Sequence, residues 1–359
     1  MTRKKITIVC SNQFGYLTDT FNYCLYLREQ YNIHYICIDF GKPKIEMEGV
    51  QVSYMPLQRL GFGKWFDFYQ YCKGNLADSD VYFVKHFFLC SLLLLNIDRK
   101  TSVCDTRTGS VRNNKFVRSV ENALMSLEMN LFKHKTAISH SLAKKLYLFN
   151  YQLLPLGTTL FKRRDHLEAN ALNLIYVGTL TGRKLQDTLF GFRRFVEQSK
   201  LPRDKISYQI IGDGEGNELN YLKQISGELE LDDIVTFHGR LPNTVIEPFL
   251  QNSNVGISYV PITPYYDVQP VTKTLEYLSS GMPVVGTATK EQKIILSSTV
   301  LGELCNDNAE SFCTALDSIY QRIDQFEPAK LADTVAEFNW RDIAKSLDNY
   351  LQLIMCSKA

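Results

Sequence analysis

The chain has 359 residues, 45% hydrophobic and 22% charged, a length that predicts two domains and a balance that excludes wholesale disorder. Its nine cysteines are odd in number and form no C-x-x-C pair, which argues against a disulfide scaffold or a zinc site and for a reducing compartment. The net charge of +2 hides an asymmetry: residues 1–170 carry 23 basic and 14 acidic side chains, whereas residues 171–359 carry 17 and 24. The basic half suits an anionic surface or substrate, or is simply a solvated face.

The first predicted element is the apolar run Ile6-Thr7-Ile8-Val9-Cys10, too short for a signal-peptide core. A polar loop at residues 11–15 and a helical pattern through Phe21, Leu25 and Leu27 follow, the strand, turn and helix of a parallel βα unit. Further strands are predicted at 33–39, 81–84, 101–104, 135–139 and 152–155, with a helix at 141–148. The apolar stretch at residues 87–95 is too short to span a bilayer. Near residues 157–171 a linker is expected, where Gly157 and the run Lys162-Arg163-Arg164-Asp165 break the apolar pattern.

The pattern then begins a second time. Leu172-Asn173-Leu174-Ile175-Tyr176-Val177 leads into Gly178 and a helix through Leu185, Leu189, Phe192 and Val196, with strands predicted at 208–211, 234–237, 255–260 and 283–285. The fold class is therefore α/β, two doubly wound Rossmann-like domains facing each other across a cleft. The expected divisions are 1–165, 166–335, and a C-terminal helix at 336–359 that packs back on the first domain.

Parallel sheets bind ligands at the carboxyl ends of their strands, so the loops there are where chemistry is sought. Gly178-Thr179-Leu180-Thr181-Gly182-Arg183-Lys184 ends at a helix start with two adjacent cations, a cradle for a pyrophosphate or an ordinary βα turn. Its spacing is not that of a Walker loop, and Gly212-Asp213-Gly214-Glu215-Gly216 lacks the third glycine of a dinucleotide fingerprint. An NAD site is thereby disfavoured. The run Pro270-Val271-Thr272-Lys273-Thr274-Leu275-Glu276, closed by Gly281 and Pro283, reads as a short helix. Its first amides, at Val271 and Thr272, can meet a phosphate, and Glu276 can bridge two ribose hydroxyls or pair with Lys273 at i,i+3.

The pattern P-x-T-K-x-x-E-Y-L-x-x-G-x-P-V-V resembles the donor-site motif of family 4 retaining glycosyltransferases, which have the two-Rossmann, B-type fold. Ile211-Gly212-Asp213-Gly214, Val235-Thr236-Phe237-His238-Gly239 and Phe338-Asn339-Trp340 fall in the order of that family. The resemblance implies that Arg183 and Lys184 bind the donor pyrophosphate, Glu276 the ribose, and His238-Gly239-Arg240 the base, largely through backbone. Gly178, Gly212, Val271, Thr272 and Lys273 complete the donor site, and Gly15 stands where a Gly-rich loop approaches the phosphates. Val268 occupies the position of the family's first Glu, with Asp267 beside it.

In the first half, Cys104-Asp105-Thr106-Arg107 resembles a D-x-R run near the reacting sugar. Asp105 and Arg107 are therefore catalytic candidates, or they cap a loop; His86 is a lesser candidate. The reaction implied is transfer from a UDP- or GDP-sugar to an acceptor hydroxyl, with retention and no metal or other cofactor, in cell-surface polysaccharide or glycolipid assembly. The acceptor would be a glycan or lipid-linked, nucleic acid is no partner, and the place is the cytoplasm with contact at the inner membrane face. A nucleotide-sugar epimerase and an inactive nucleotide-sugar-binding protein are the alternatives.

Overall fold

The computed structural model describes residues 3–112 and 114–356. The chain forms two compact units, one built from the residues up to Gly157 together with those from Trp340 onward, the other from Thr158–Asn339.

In the first unit the chain runs β1 (Lys4–Val9), α1 (Thr18–Leu27), β2 (Tyr31–Asp39), β3 (Val50–Pro56), α2 (Gly63–Asn75) and β4 (Val81–Lys85). It continues through β5 (Ser102–Thr106), α3 (Lys115–Leu131), β6 (His134–Ala137), α4 (His140–Lys145) and β7 (Gln152–Leu153). These strands make one seven-stranded sheet in the order β3-β2-β1-β4-β5-β6-β7, and each pairing is parallel. Ile6, Ile8, Phe83 and Val103 from the central strands are buried with Tyr23 and Leu27 of α1, because a parallel sheet covered on both faces leaves its inner strands no wet side.

The second unit runs β8 (Leu172–Val177), α5 (Gln186–Gln198), β9 (Ile206–Ile211), α6 (Glu218–Glu228), β10 (Val235–Gly239), α7 (Glu247–Asn252) and β11 (Val255–Ser258). Then come α8 (Thr272–Ser279), β12 (Val284–Thr287), α9 (Lys290–Ile295), β13 (Gly302–Cys305), α10 (Ala309–Tyr320) and α11 (Pro328–Thr334). The six-stranded sheet has the order β10-β9-β8-β11-β12-β13, again wholly parallel. Its order reverses between β8 and β11, the switch point where doubly wound sheets open a crevice for ligands.

The final helix, α12 (Trp340–Cys356), belongs to the first unit. Trp340, Ile343, Leu347, Leu351 and Ile354 lie in the core cluster of β1 and α1, and Asp348 accepts a 2.5 Å hydrogen bond from the Tyr31 hydroxyl. The unit boundaries differ from the expected 165 and 335. Residues 158–165 fold into the second unit because Arg164 is buried there, its guanidinium donating to the carbonyls of Leu250, Ser253 and Ser280. Burial pulls the Arg164 pKa down to about 10. Residues 336–339 also stay there, with Asn339 bridged to Thr158 and the Thr158 amide 2.7 Å from the Phe338 carbonyl. Among the described residues no helix is long and apolar enough to cross a membrane.

Candidate active site

Several of the expected donor residues meet at the carboxyl end of the second sheet. The loops leaving β8 and β9 touch: the Gly178 amide donates to the Ile211 carbonyl at 2.9 Å, and Leu180 to that of Asp213 at 3.0 Å. Gly212 makes this approach possible. Its φ is +155°, and a Cβ there would stand 1.8 Å from the Gly178 carbonyl oxygen. Next to these glycines lies a pocket of about 330 Å³ lined by Gly178, Thr179, Gly212, Asp213, Arg240 and Lys273, among others, at the small end of the range for ligand sites.

α8 supplies the other wall. Its interior side is pinned to the sheet, with the Val177 amide donating to the Tyr277 hydroxyl at 2.8 Å and Thr274 bonded to Ser258 and Gln292 at 2.7 Å each. The helix ends where Gly281 adopts a φ of +80° and the Met282 amide reaches back to the Tyr277 carbonyl at 3.0 Å, a Schellman-type stop. At its start Val271 is the N-cap and no side chain caps the first turn, which leaves the amides there for an anion. Lys273 Nζ and Glu276 Oε2 are 2.5 Å apart, their side chains only 23% and 12% exposed. The i,i+3 pair is thus present, half-buried beside the pocket.

Arg183 and Lys184 stand just outside the pocket lining, in the turn before α5. Lys184 has a φ of +55°, a left-handed conformation that disfavours a residue with a Cβ by roughly 1–2 kcal/mol. Its Nζ is 3.1 Å from Asp307 Oδ2, which also accepts from the Ile262 amide at 3.2 Å. The Arg183 guanidinium lies over the Tyr266 ring at 4.7 Å. Nearby, the Tyr259 hydroxyl donates to Asp187 at 3.2 Å; burial raises the pKa of Asp187, and burial followed by the Asp187 charge raises that of Tyr259. Tyr266 and Asp307 carried no spacing signal, because each lies on a different loop from the group it serves.

His238 is engaged by neighbouring side chains of its own unit. Its Nε2 is 2.6 Å from Gln209 Oε1 and its ring meets Phe249 edge-on, with burial lowering its pKa. What the β10 end offers the pocket is backbone: the Gly239 carbonyl holds the Gly212 amide at 2.8 Å, and Arg240 and Leu241 follow in the lining. Val268 is buried. Asp267 is committed to Lys290, 2.9 Å from its Nζ and 2.9 Å from its amide.

In the first unit the two catalytic candidates are engaged inside the fold. Asp105 is fully buried, and Arg107 is 5% exposed. One Asp105 oxygen accepts from Thr136 at 2.6 Å and the other from Arg107 Nε at 2.9 Å. Arg107 also bonds the Leu154 carbonyl, the Tyr23 hydroxyl and Asp19. Burial opposes the guanidinium charge, but Asp105, Tyr23 and Asp19 outweigh it and raise the Arg107 pKa. These two residues tie β5 to α1 and β7. Gly15 forms a turn with a φ of +88°, closed over by Ile45. His86 pairs with Glu128 at 3.2 Å. With Cys90 these two form the one group among the described residues whose donor atoms, within 4.8 Å of one another, have the spacing to hold a metal ion.

Residues 171–322, from β8 to the end of α10, match the model of the family described as glycosyl transferases group 1. This match spans most of the second unit and marks the chain as a glycosyltransferase. No curated protein matches the chain in sequence. Among solved structures, sucrose-phosphate synthase from Thermosynechococcus elongatus is similar to this glycosyltransferase at a TM-score of 0.77 and 14% identity, over 99% of this chain and 100% of that one. The Anabaena HepE protein in complex with UDP and glucose gives 0.74 and 14%, over 98% and 100%. The lipopolysaccharide outer core galactosyltransferase WaaB gives 0.72 and 14%, over 99% and 100%. At such identities the likeness shows a shared fold, that of the B-type glycosyltransferases with two Rossmann-like domains.

Proposed function

We propose that this glycosyltransferase moves a sugar from a UDP- or GDP-sugar to an acceptor hydroxyl with retention at the anomeric carbon, as a family 4 enzyme. The observation that carries the reading is the presence at the carboxyl end of one sheet of an uncapped helix start, the Lys273 and Glu276 pair, and the strained Lys184. Breaking the bond to a diphosphate places negative charge on the leaving group as the transition state forms. Arg183, Lys184 and the first amides of α8 would stabilise that charge electrostatically. That cationic set is the basis for proposing a reaction with no resident metal. Glu276 would hold the ribose, exchanging Lys273 for two hydroxyls, and the backbone at Gly239 and Arg240 would face the base. HepE, whose structure holds UDP and glucose, supports a nucleotide-sugar donor here.

A cytoplasmic enzyme of cell-surface polysaccharide or glycolipid assembly, acting on a glycan or lipid-linked acceptor, completes the proposal. Thermal unfolding with UDP, GDP, ADP and their sugar conjugates tests the donor, since a ligand at 100 times its Kd stabilises the fold by about 2.7 kcal/mol. Stabilisation by one nucleoside diphosphate and its sugar conjugate supports the reading, and indifference to all of them defeats it. The anomeric configuration of the product, read by NMR, tests retention. An epimerase would return an altered sugar nucleotide with no acceptor added; the family match does not favour it.

A further inference from the structure

Helix α3 is amphipathic in the opposite sense to an ordinary surface helix, which turns its apolar stripe to the core and its polar side to water. Among its 17 residues only Met129 is buried. Three of its polar side chains face the protein: Glu128 bonds His86 and Ser91 at 3.2 Å each, Asn122 accepts the Ser110 amide at 2.8 Å, and Asn130 donates to the Tyr147 carbonyl at 3.1 Å. The apolar ones face out. Phe116, Val120, Leu124, Leu127 and Leu131 follow one another by four, four, three and four residues and are 76%, 43%, 40%, 67% and 50% exposed. At 100° per residue that spacing is a single stripe. Tyr147 and Phe149, which meet α3 through Asn130, add two exposed aromatic rings. A continuous apolar face of this kind marks an interaction surface, unlike apolar side chains scattered singly.

The charges around the stripe select the occupant. Lys115 at the helix start, Lys133 beyond its end and Lys144 near Tyr147 are exposed. The helix's two acids are both engaged with the protein, Glu121 by Ser110 and Arg112, Glu128 by His86 and Ser91. A second copy of this face would set cation against cation, whereas a bilayer with anionic headgroups offers both an apolar interior and the opposite charge. We propose that α3 lies flat on an anionic bilayer, with Phe116, Leu124, Leu127 and Leu131 in the boundary between headgroups and acyl chains and the lysines among the phosphates. The surface holds the protein on the membrane without crossing it. This inference stands on the exposure and charge of α3 and is independent of the nucleotide-sugar reading.

Flotation of the full chain with vesicles tests it, using phosphatidylcholine alone and phosphatidylcholine with about one-third phosphatidylglycerol. Binding to the anionic vesicles, weakening as salt rises, is expected. Leu124→Glu with Leu127→Glu should lower the bound fraction at least tenfold, and Lys115→Glu with Lys133→Glu by about fivefold or more per site. All four positions are exposed, so the thermal unfolding of these variants and their response to nucleotide should match the parent. The proposal is overturned if the parent fails to float with anionic vesicles, or if the double Glu variant floats as well as the parent. It is equally overturned if sedimentation velocity shows a dimer that the double Glu variant dissolves, since the stripe then belongs to a second copy.

Discussion

Glu276→Gln keeps the shape of the side chain and removes its charge. In the free protein the carboxylate sits 2.5 Å from Lys273 Nζ and is 12% exposed. If it bridges the two ribose hydroxyls, it accepts two charge-assisted bonds of about 1.5–3 kcal/mol each, partly offset by loosening Lys273. The net loss is then about 2–4 kcal/mol, roughly 30- to 1000-fold in Kd. Stability should change by no more than about 1 kcal/mol, the scale of a partly exposed pair. Isothermal titration with a ribonucleoside diphosphate and its 2′,3′-dideoxy analogue separates the two effects. The parent should lose with the dideoxy compound the affinity that the variant loses with the ribonucleotide, and the variant should bind both alike. A variant that still prefers the ribonucleotide as strongly as the parent does would refute the assignment of Glu276 to the ribose.

Lys184→Met removes an ammonium that is 50% exposed and 3.1 Å from Asp307; unfolding should move by less than about 1 kcal/mol while turnover, followed by release of the nucleoside diphosphate, falls by roughly 100- to 1000-fold. Gly212→Ala places a Cβ 1.8 Å from the Gly178 carbonyl, so chemical denaturation should show a loss of about 1–3 kcal/mol and calorimetry a weakened nucleotide site. Arg107→Met leaves Asp105 and Asp19 without their buried counter-charge, a loss of about 3–5 kcal/mol in the same experiment; a variant that is inactive yet as stable as the parent would return this pair to catalysis. His34, His134 and His238 have pKa values held below the ordinary 6.5 by burial, with Lys133 adding to the effect at His134. The unfolded chain therefore takes up protons first, and stability that is full above pH 6.5 should decline as pH falls toward the folded-state values, by at most about 1.4 kcal/mol per pH unit for each histidine. Denaturation at three pH values checks the sign, and His→Gln replacements should flatten the slope.

The double start of the chain was legible because inner strands of a parallel sheet are apolar on both faces, as β1 and β8 are. The α8 run was legible too, since a helix, a left-handed glycine and a following proline leave a local trace. β3 and β13 were not anticipated: most of β3 is only half-buried, and β13 spans four residues, Gly302–Cys305. The spacing of α3 is plainly helical, yet no periodicity says which side of a stripe faces the protein. Asp105 and Arg107 read as chemistry because acid and base stand two apart; their true partners, at positions 19, 23, 136 and 154, are joined only by the fold. The same holds for Asp307 beside Lys184.

The placement of α12 sets an order on the folding of a chain made from its N-terminus onward. Residues 158–339 form a continuous segment whose two ends are bonded to each other, Thr158 to Asn339. That segment can close on itself as soon as it leaves the ribosome. The seven-stranded sheet, although synthesised first, must wait with the Trp340, Ile343 and Leu347 side of its core uncovered until the last helix emerges. During that interval its apolar surface is open to chaperones and to aggregation, so the earlier half of the sequence is the later one to mature.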